Sequence, residues 1–241
     1  MSQPFHFKQF SVSQDKCAMK VGTDGVLLGA WASSPSVPNS ILDIGAGSGL
    51  ISLMMAQRFS TVSIDAVEID HAAYTQARDN FLASPWSKRL TCVCMSFQTF
   101  CAKQKEKYSF IVSNPPFFAN GQKTVSKERN QARFEASLPF QELLYGVSSL
   151  LEDKGIFCVI IPFDQEELFL SVAKTNGLIP IRITRTKGNK NAPIKRSLLQ
   201  LTLGNGNIID QLQEDVIILE KERHEYTDEY KQMVKAFYLK L

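Results

Sequence analysis

The residues with the most chemical promise sit where apolar runs stop. In "LDIGAGSGL", residues 42–50, glycines stand at 45, 47 and 49, after a strand-like run and before a helical one. Glycines there let a backbone turn tightly and approach a ligand where a Cβ would collide. Asp43 lies inside the strand just before the loop, where an acid would repel a pyrophosphate but would suit a ligand carrying an ammonium group. Glu68 ends the next strand-like run, a position from which a carboxylate can take both hydroxyls of a ribose. A dinucleotide turn wants Gly or Ala one residue beyond Gly49, for close helix–strand packing, and Leu50 stands there instead.

A second stretch, "SNPPFF" at 113–118, ends another apolar run. Proline breaks strands and Asn-Pro initiates turns, so taken alone it is a strand end. Beside the glycine loop and Glu68 it gains a second role. An amino group conjugated to an aromatic ring, or a planar amide, is a poor nucleophile because its lone pair is delocalised. Two acceptors aimed at its hydrogens favour the sp3 geometry that attack requires, and the Asn114 side-chain carbonyl and Pro115 main-chain carbonyl are such acceptors. Pro115 and Pro116 stiffen the backbone that holds them, and Phe117 can stack on a flat acceptor such as a flipped base.

The glycine loop with Asp43 and Glu68 resembles motifs I and II of the class I S-adenosylmethionine-dependent methyltransferases, with NAD binding as the runner-up. "NPPF" is similar to the amino-methyltransferase motif of enzymes acting on adenine N6, cytosine N4 or the glutamine amide. In that family the residue after the third strand often contacts the adenine and is commonly acidic. Here Ser96 and Phe97 occupy that place, leaving the Ser96 hydroxyl or the Phe97 backbone to do so. The flanks narrow the choice. "FKQFSVSQDKCAMKVGTDGVLLGAW", then "EID", "R-x-x-A-R" at Arg129 to Arg133 and "PIKRSLLQL" resemble the bacterial tRNA1(Val) (adenine(37)-N6)-methyltransferase family over nearly the whole chain. That resemblance implies a tRNA substrate and S-adenosylmethionine as cofactor. It also places Lys20, Thr23 and Asp24 near the methionine end of the donor, although Asp24 equally suits the cap of a helix beginning at Gly25.

Charge is concentrated. Arg182, Arg185, Lys187, Lys190, Lys195 and Arg196 fall in one stretch without an acid, and the chain without them would be net negative although the whole carries +3. Lys123, Lys127, Arg129 and Arg133 follow the Asn-Pro-Pro turn. Two such clusters beside one pocket suit RNA phosphates.

The elements that must position these groups alternate. Strand-like runs at 41–45, 62–69, 90–94, 108–113 and 156–162 are apolar on consecutive residues, as strands buried on both faces are. Helical patterns at 49–59, 71–83 and 138–152 lie between them, which predicts an α/β Rossmann-like, doubly wound, mostly parallel sheet. Runs at 179–186 and 197–203 read as an antiparallel hairpin completing seven strands, followed by a strand-like "DVIILE" and a terminal helix. The first 35 residues read as irregular apart from a helix over 24–32, and 1–241 as one domain with an N-terminal extension to about 38.

Five cysteines form no CxxC pair and three histidines are scattered, so neither a disulfide framework nor a metal site is expected; reduced, mostly buried thiols in a cytoplasmic protein fit better. The start of the chain lacks the pattern of a signal peptide, and no apolar run approaches the roughly 20 residues of a membrane span. No obligate protein partner is implied. The rivals are a protein glutamine-amide methyltransferase, which has less use for two basic clusters, a non-catalytic RNA-binding module, and a nucleotide-dependent oxidoreductase, which Leu50 and Asp43 disfavour.

Overall fold

The computed structural model describes residues 3–17, 19–116, 138–204 and 211–240. Its main sheet begins with strands β3 (Ser40–Ile44), β4 (Ser63–Glu68), β5 (Leu90–Cys94), β6 (Tyr108–Ser113) and β7 (Leu151–Pro162). It continues through β8 (Leu178–Lys187), β9 (Ile194–Leu203) and β10 (Gln213–Ile218). The strand order is β10-β8-β9-β7-β6-β3-β4-β5. Pairing is parallel from β5 through to β7, antiparallel on both sides of β9, and parallel again between β8 and β10. The sheet therefore has eight strands rather than the expected seven, because Gln213–Ile218 pairs along the outer edge of β8.

Consecutive apolar residues form these strands because each face is covered. Ile156, Cys158 and Ile160 of β7 face one core, with Phe110 and Val112 of β6; Phe157, Val159 and Ile161 face the other, with Ile111. Fully burying such a side chain contributes about 1.5–3 kcal/mol. The first core is closed by helices α1 (Thr23–Trp31), α2 (Leu50–Arg58) and α3 (His71–Ala83). The second is closed by α4 (Phe97–Lys103), α5 (Phe140–Leu150) and α6 (Glu166–Thr175). Helix α7 (Asp228–Val234) adds Tyr230 and Val234 to the first core. α1 lies close to α2: a Cβ at Gly29 would stand 2.4 Å from the Met54 sulfur.

Part of the stretch expected to be irregular is ordered. β1 (Phe5–His6) pairs antiparallel with β2 (Ser11–Val12), and Phe7 forms a bridge with Tyr238. Stacked rings of Phe7 and Phe10 bury this pair. A second small pair joins β11 (Glu220–Glu222) to β12 (Glu225–Tyr226). The thiols are less buried as a set than expected: Cys17 and Cys158 are buried, Cys92 and Cys101 partly so, and Cys94 is exposed. No helix among the described residues is long and apolar enough to cross a membrane.

Candidate active site

Parallel pairing brings the C-terminal ends of β3, β4, β5 and β6 to one edge, so the glycine loop, Glu68, Ser96 and Asn114 share it. Because β9 runs against β7, its first residues come to that edge as well, and Arg196 pairs with Pro162 at the end of β7. The hairpin tip with Lys187, Lys190 and Lys195 is thereby placed on the side of the sheet where the glycine loop sits, which the sequence alone left open.

Gly45, Gly47 and Gly49 all have positive φ, at 75°, 56° and 80°. Gly45 and Ala46 donate their N–H groups to Val67 O at 2.9 and 3.2 Å, stitching the loop to the end of β4. A Cβ at Gly45 or Gly47 would meet nothing within 4 Å among the described residues, so open space distinguishes these two positions. Gly49 differs, because a Cβ there would lie 2.5 Å from the Phe81 ring. Leu50 begins α2 and is buried in the first core.

Glu68 braces the loop. One carboxylate oxygen accepts from Gly47 N at 2.8 Å and the other from Asp70 N at 2.9 Å. Each oxygen keeps acceptor capacity for a further donor. Asp43 is fully buried, and its Oδ2 accepts from Ser52 N at 3.1 Å and Ser52 Oγ at 2.6 Å. Its Oδ1 has no partner among the described residues. Burial pushes the Asp43 carboxyl up to about 6 against the two Ser52 hydrogen bonds, which pull it down, and the Glu68 charge adds to the rise.

The sign for stability follows from that direction. A carboxyl raised in the folded state binds more protons there than in the unfolded chain at mildly acid pH, so Asp43's contribution falls as pH rises from about 4 to about 6 and is flat above. The unfolding free energy of Asp43→Asn minus that of the native protein is therefore expected to increase across that window and level off; urea titrations at each pH measure it. A difference that does not change between pH 4 and 7 would refute the buried-charge account.

At the neighbouring strand end, Ser113 Oγ donates to Ile44 O at 2.9 Å, locking the exit of β6 to that of β3. Asn114 is half-buried, Pro115 buried and Pro116 exposed. Phe117, Lys123, Lys127, Arg129 and Arg133 lie outside the described residues. The first turn of α1 lies near Leu50 and Asn114: a Cβ at Gly25 would stand 3.0 Å from Leu50 Cδ2 and 4.0 Å from Asn114 Nδ2.

Asp24 does not cap that helix. The N-cap is Gly22, without a side-chain bond, and Asp24 sits inside the first turn, where its Oδ2 accepts from Arg196 Nε at 2.8 Å. An acid inside the turn faces the helix's positive end and leaves its oxygens to a distant partner. Thr23 and Lys20 are exposed beside it. Ser96 caps α4, accepting from Thr99 N at 3.2 Å and donating to Thr99 Oγ1 at 2.8 Å, and the Phe97 ring is buried.

The basic stretch divides. The guanidinium of Arg185, expected to face RNA, is already paired: Glu166 takes its Nε and Nη2 and Glu214 its Nη1 at 2.7 Å. Arg182 pairs with Asp215 at 3.2 Å, and Arg196 with Asp24. Lys190 and Lys195 are exposed and Lys187 partly so. The sequence reading also missed Ser52, Gln76 and Asn80. The last two are polar residues on the buried stripe of α3 beside Ala73 and Ala77, which is the signal that could have flagged them.

Residues 22–135 match the Methyltransferase small domain family. The chain is 52% identical to the tRNA1(Val) (adenine(37)-N6)-methyltransferase of Flavobacterium psychrophilum, over 98% of this chain and all of that one. It is 50% identical to the protein of that name from Christiangramia forsetii, over 100% of this chain and 99% of the other. A solved structure of a predicted O-methyltransferase from Agrobacterium tumefaciens superposes with a TM-score of 0.66 over 89% of this chain and 96% of that one, at 17% identity, a likeness of fold. With that glycine loop, the Asn-Pro-Pro strand end and identity along its whole length, the chain belongs to the tRNA1(Val) (adenine(37)-N6)-methyltransferase family.

Proposed function

We propose that this protein transfers a methyl group from S-adenosylmethionine to the N6 amino group of adenine in tRNA, at adenosine 37 of tRNA1(Val). The likeness of the whole chain to relatives of that name carries the conclusion. Three features fit the S-adenosyl group: the unpartnered buried Oδ1 of Asp43, the open space beside Gly45 and Gly47, and Glu68 at the end of β4. Asp43, the loop amides and Glu68 would hold it, with Lys20, Thr23 and Asp24 toward its methionine end and Ser96 and Phe97 toward its adenine. When bound, it supplies an electrophilic methyl carbon on a sulfonium centre.

The chain's own task is to present the amine. The Asn114 side-chain carbonyl and Pro115 main-chain carbonyl accept the two amino hydrogens, drawing the nitrogen lone pair out of conjugation and along the line of attack. The Ser113–Ile44 bond holds that strand end in place. Pro116 fixes the backbone behind it and Phe117 is assigned to the face of the base. Bond formation from nitrogen to carbon, with the carbon–sulfur bond broken and its electron pair left on sulfur, would give a cationic amine, acidic enough to release one proton to water. Lys187, Lys190 and Lys195, with Lys123, Lys127, Arg129 and Arg133, are assigned to phosphates. Arg196 belongs to that surface through its salt bridge to Asp24.

The test incubates the protein with methyl-labelled S-adenosylmethionine and, in separate arms, total tRNA, cell protein and DNA. Label is expected in tRNA as N6-methyladenosine; label confined to protein would overturn the RNA assignment in favour of a glutamine amide.

A further inference from the structure

Helix α3 carries two buried amides that presenting an amine does not require. Gln76 is 2% exposed and Asn80 3%, one turn apart on the face that looks into the first core. A buried amide is costly unless its polar atoms are matched. Asn80 is matched at both ends. Its Oδ1 accepts from Ser13 N at 2.9 Å, while its Nδ2 donates to Ser13 O and to Ser48 O, both at 2.8 Å. The arrangement fixes which end is nitrogen, because two carbonyls need two donors and Ser13 N needs an acceptor.

The two partners of Asn80 come from different parts of the chain. Ser48 is in the glycine loop between Gly47 and Gly49, and Ser13 begins the segment that leads to Lys20 and α1. That segment is held on α3 again by Gln76, whose Oε1 accepts from Lys16 N at 3.1 Å, and by Lys16 to Asp79 at 2.8 Å. Gln14 ties it to Val21 N at 2.7 Å. Cys17 of this segment is buried, and burial pushes its thiol up to about 11, with the Glu68, Asp70 and Asp15 charges adding to the rise. One turn of α3 thus holds the N-terminal segment through Gln76 and Asn80, and the glycine loop through Asn80 and the Phe81 ring under Gly49.

We infer that Asn80 is a positioning residue for the cofactor loop, one amide that couples docking of segment 13–17 to the shape of the loop at Ser48. Asn80 holds that role if the loop binds the S-adenosyl group as proposed above. Asp at this position would keep the shape but, ionised, would turn both donors into acceptors facing carbonyls. Ala would leave all three backbone groups unmatched.

The experiment uses the full chain. Calorimetry with S-adenosylmethionine and S-adenosylhomocysteine gives Kd, hydrogen exchange of the ligand-free protein reports Ser13–Lys16 and Gly47–Gly49, and tRNA methylation gives kcat and KM. Asn80→Asp is expected to raise Kd and the cofactor KM by about tenfold or more, as unmatched buried carbonyls do. It should speed exchange in both segments while leaving kcat at saturating cofactor and the KM for tRNA within about twofold. Gln76→Ala frees Lys16 N and leaves the Asn80 bonds in place, so it should speed exchange at 13–16 and raise Kd by a smaller factor.

A folded Asn80→Asp protein with unchanged Kd and loop exchange overturns the coupling, as does a fall in kcat with Kd unmoved. Should Asn80→Asp not fold, unchanged Kd in Gln76→Ala, with exchange at 13–16 accelerated, overturns it. Native protein that binds neither ligand would overturn the cofactor assignment itself and this inference with it. Binding by the native protein with no change in the variants overturns the inference alone.

Discussion

Asn114→Ala is expected to lower kcat for tRNA methylation by about 100-fold or more while leaving the Kd for S-adenosylmethionine within about twofold of the native value. The size follows from what the side chain does: it holds one of two acceptors aimed at the reacting amine, and contacts to a reacting group are worth far more in the transition state than in the ground state. The selectivity follows from position. Asn114 leaves β6, whereas the loop amides, Asp43 and Glu68 are held by β3, β4 and Ser52. Its truncation also leaves the turn intact, since Ser113 remains bonded to Ile44 O and Pro115 remains buried. Asn114→Asp retains an acceptor and should fall between the two. Single-turnover rates with saturating cofactor, beside calorimetric Kd values, separate these effects; a native single-turnover rate in Asn114→Ala would remove the clamp from the mechanism.

Glu68→Ala is expected to act on the other ligand, and on the fold as well. Its carboxylate accepts from Gly47 N and Asp70 N, so truncation strips the acceptor from two backbone amides at once. An unmatched buried donor costs about 1–3 kcal/mol, and the loop it braces carries three glycines free to relax. Cofactor affinity should fall by about 100-fold or more, and the thermal midpoint of the ligand-free protein should drop, whereas Asn114→Ala leaves that midpoint nearly unchanged. Glu68→Gln is the sharper variant, because it places an amide hydrogen against one of two N–H groups that both need an acceptor. Calorimetry and thermal scans check both effects, and full cofactor affinity in Glu68→Gln would refute the brace.

The layered sheet was legible because its signal is local. Strands buried on both faces must be apolar on consecutive residues, and "FIV" in β6 or "FCVII" in β7 can be little else. What escaped was short or depended on distant partners. α4 has seven residues, with Phe97 as its buried anchor, and α6 buries only Glu166, Phe169 and Ala173, a stripe too narrow to stand out. β1 and β2 have two residues each and are held by aromatic rings rather than by strand length. At the site, the glycines and the acids announced themselves by spacing, but their hydrogen-bond partners did not. A run of basic residues shows the charge of Arg185 and conceals its ion-pair partners Glu166 and Glu214, which only strand pairing and α6 bring to it. Asp24 read as a cap for the same reason, since Arg196 is 172 residues away along the chain.

The contact of residues 7–8, just after β1, with residues 235–238 bears on the order of folding. Lys8 N donates to Phe237 O at 2.8 Å, and the Lys8 ammonium reaches Lys235 O across 227 residues. Closing so long a loop carries a large entropy cost, and no such contact can exist until the ribosome has released the residues around 238. The brace of the glycine loop, by contrast, joins Gly45, Ala46 and Gly47 to Val67 and Glu68, all made before residue 70. A nascent chain can therefore assemble the brace of its loop early, while the aromatic seal of Phe7, stacked on Phe10, against Tyr238 waits for residues made long afterwards.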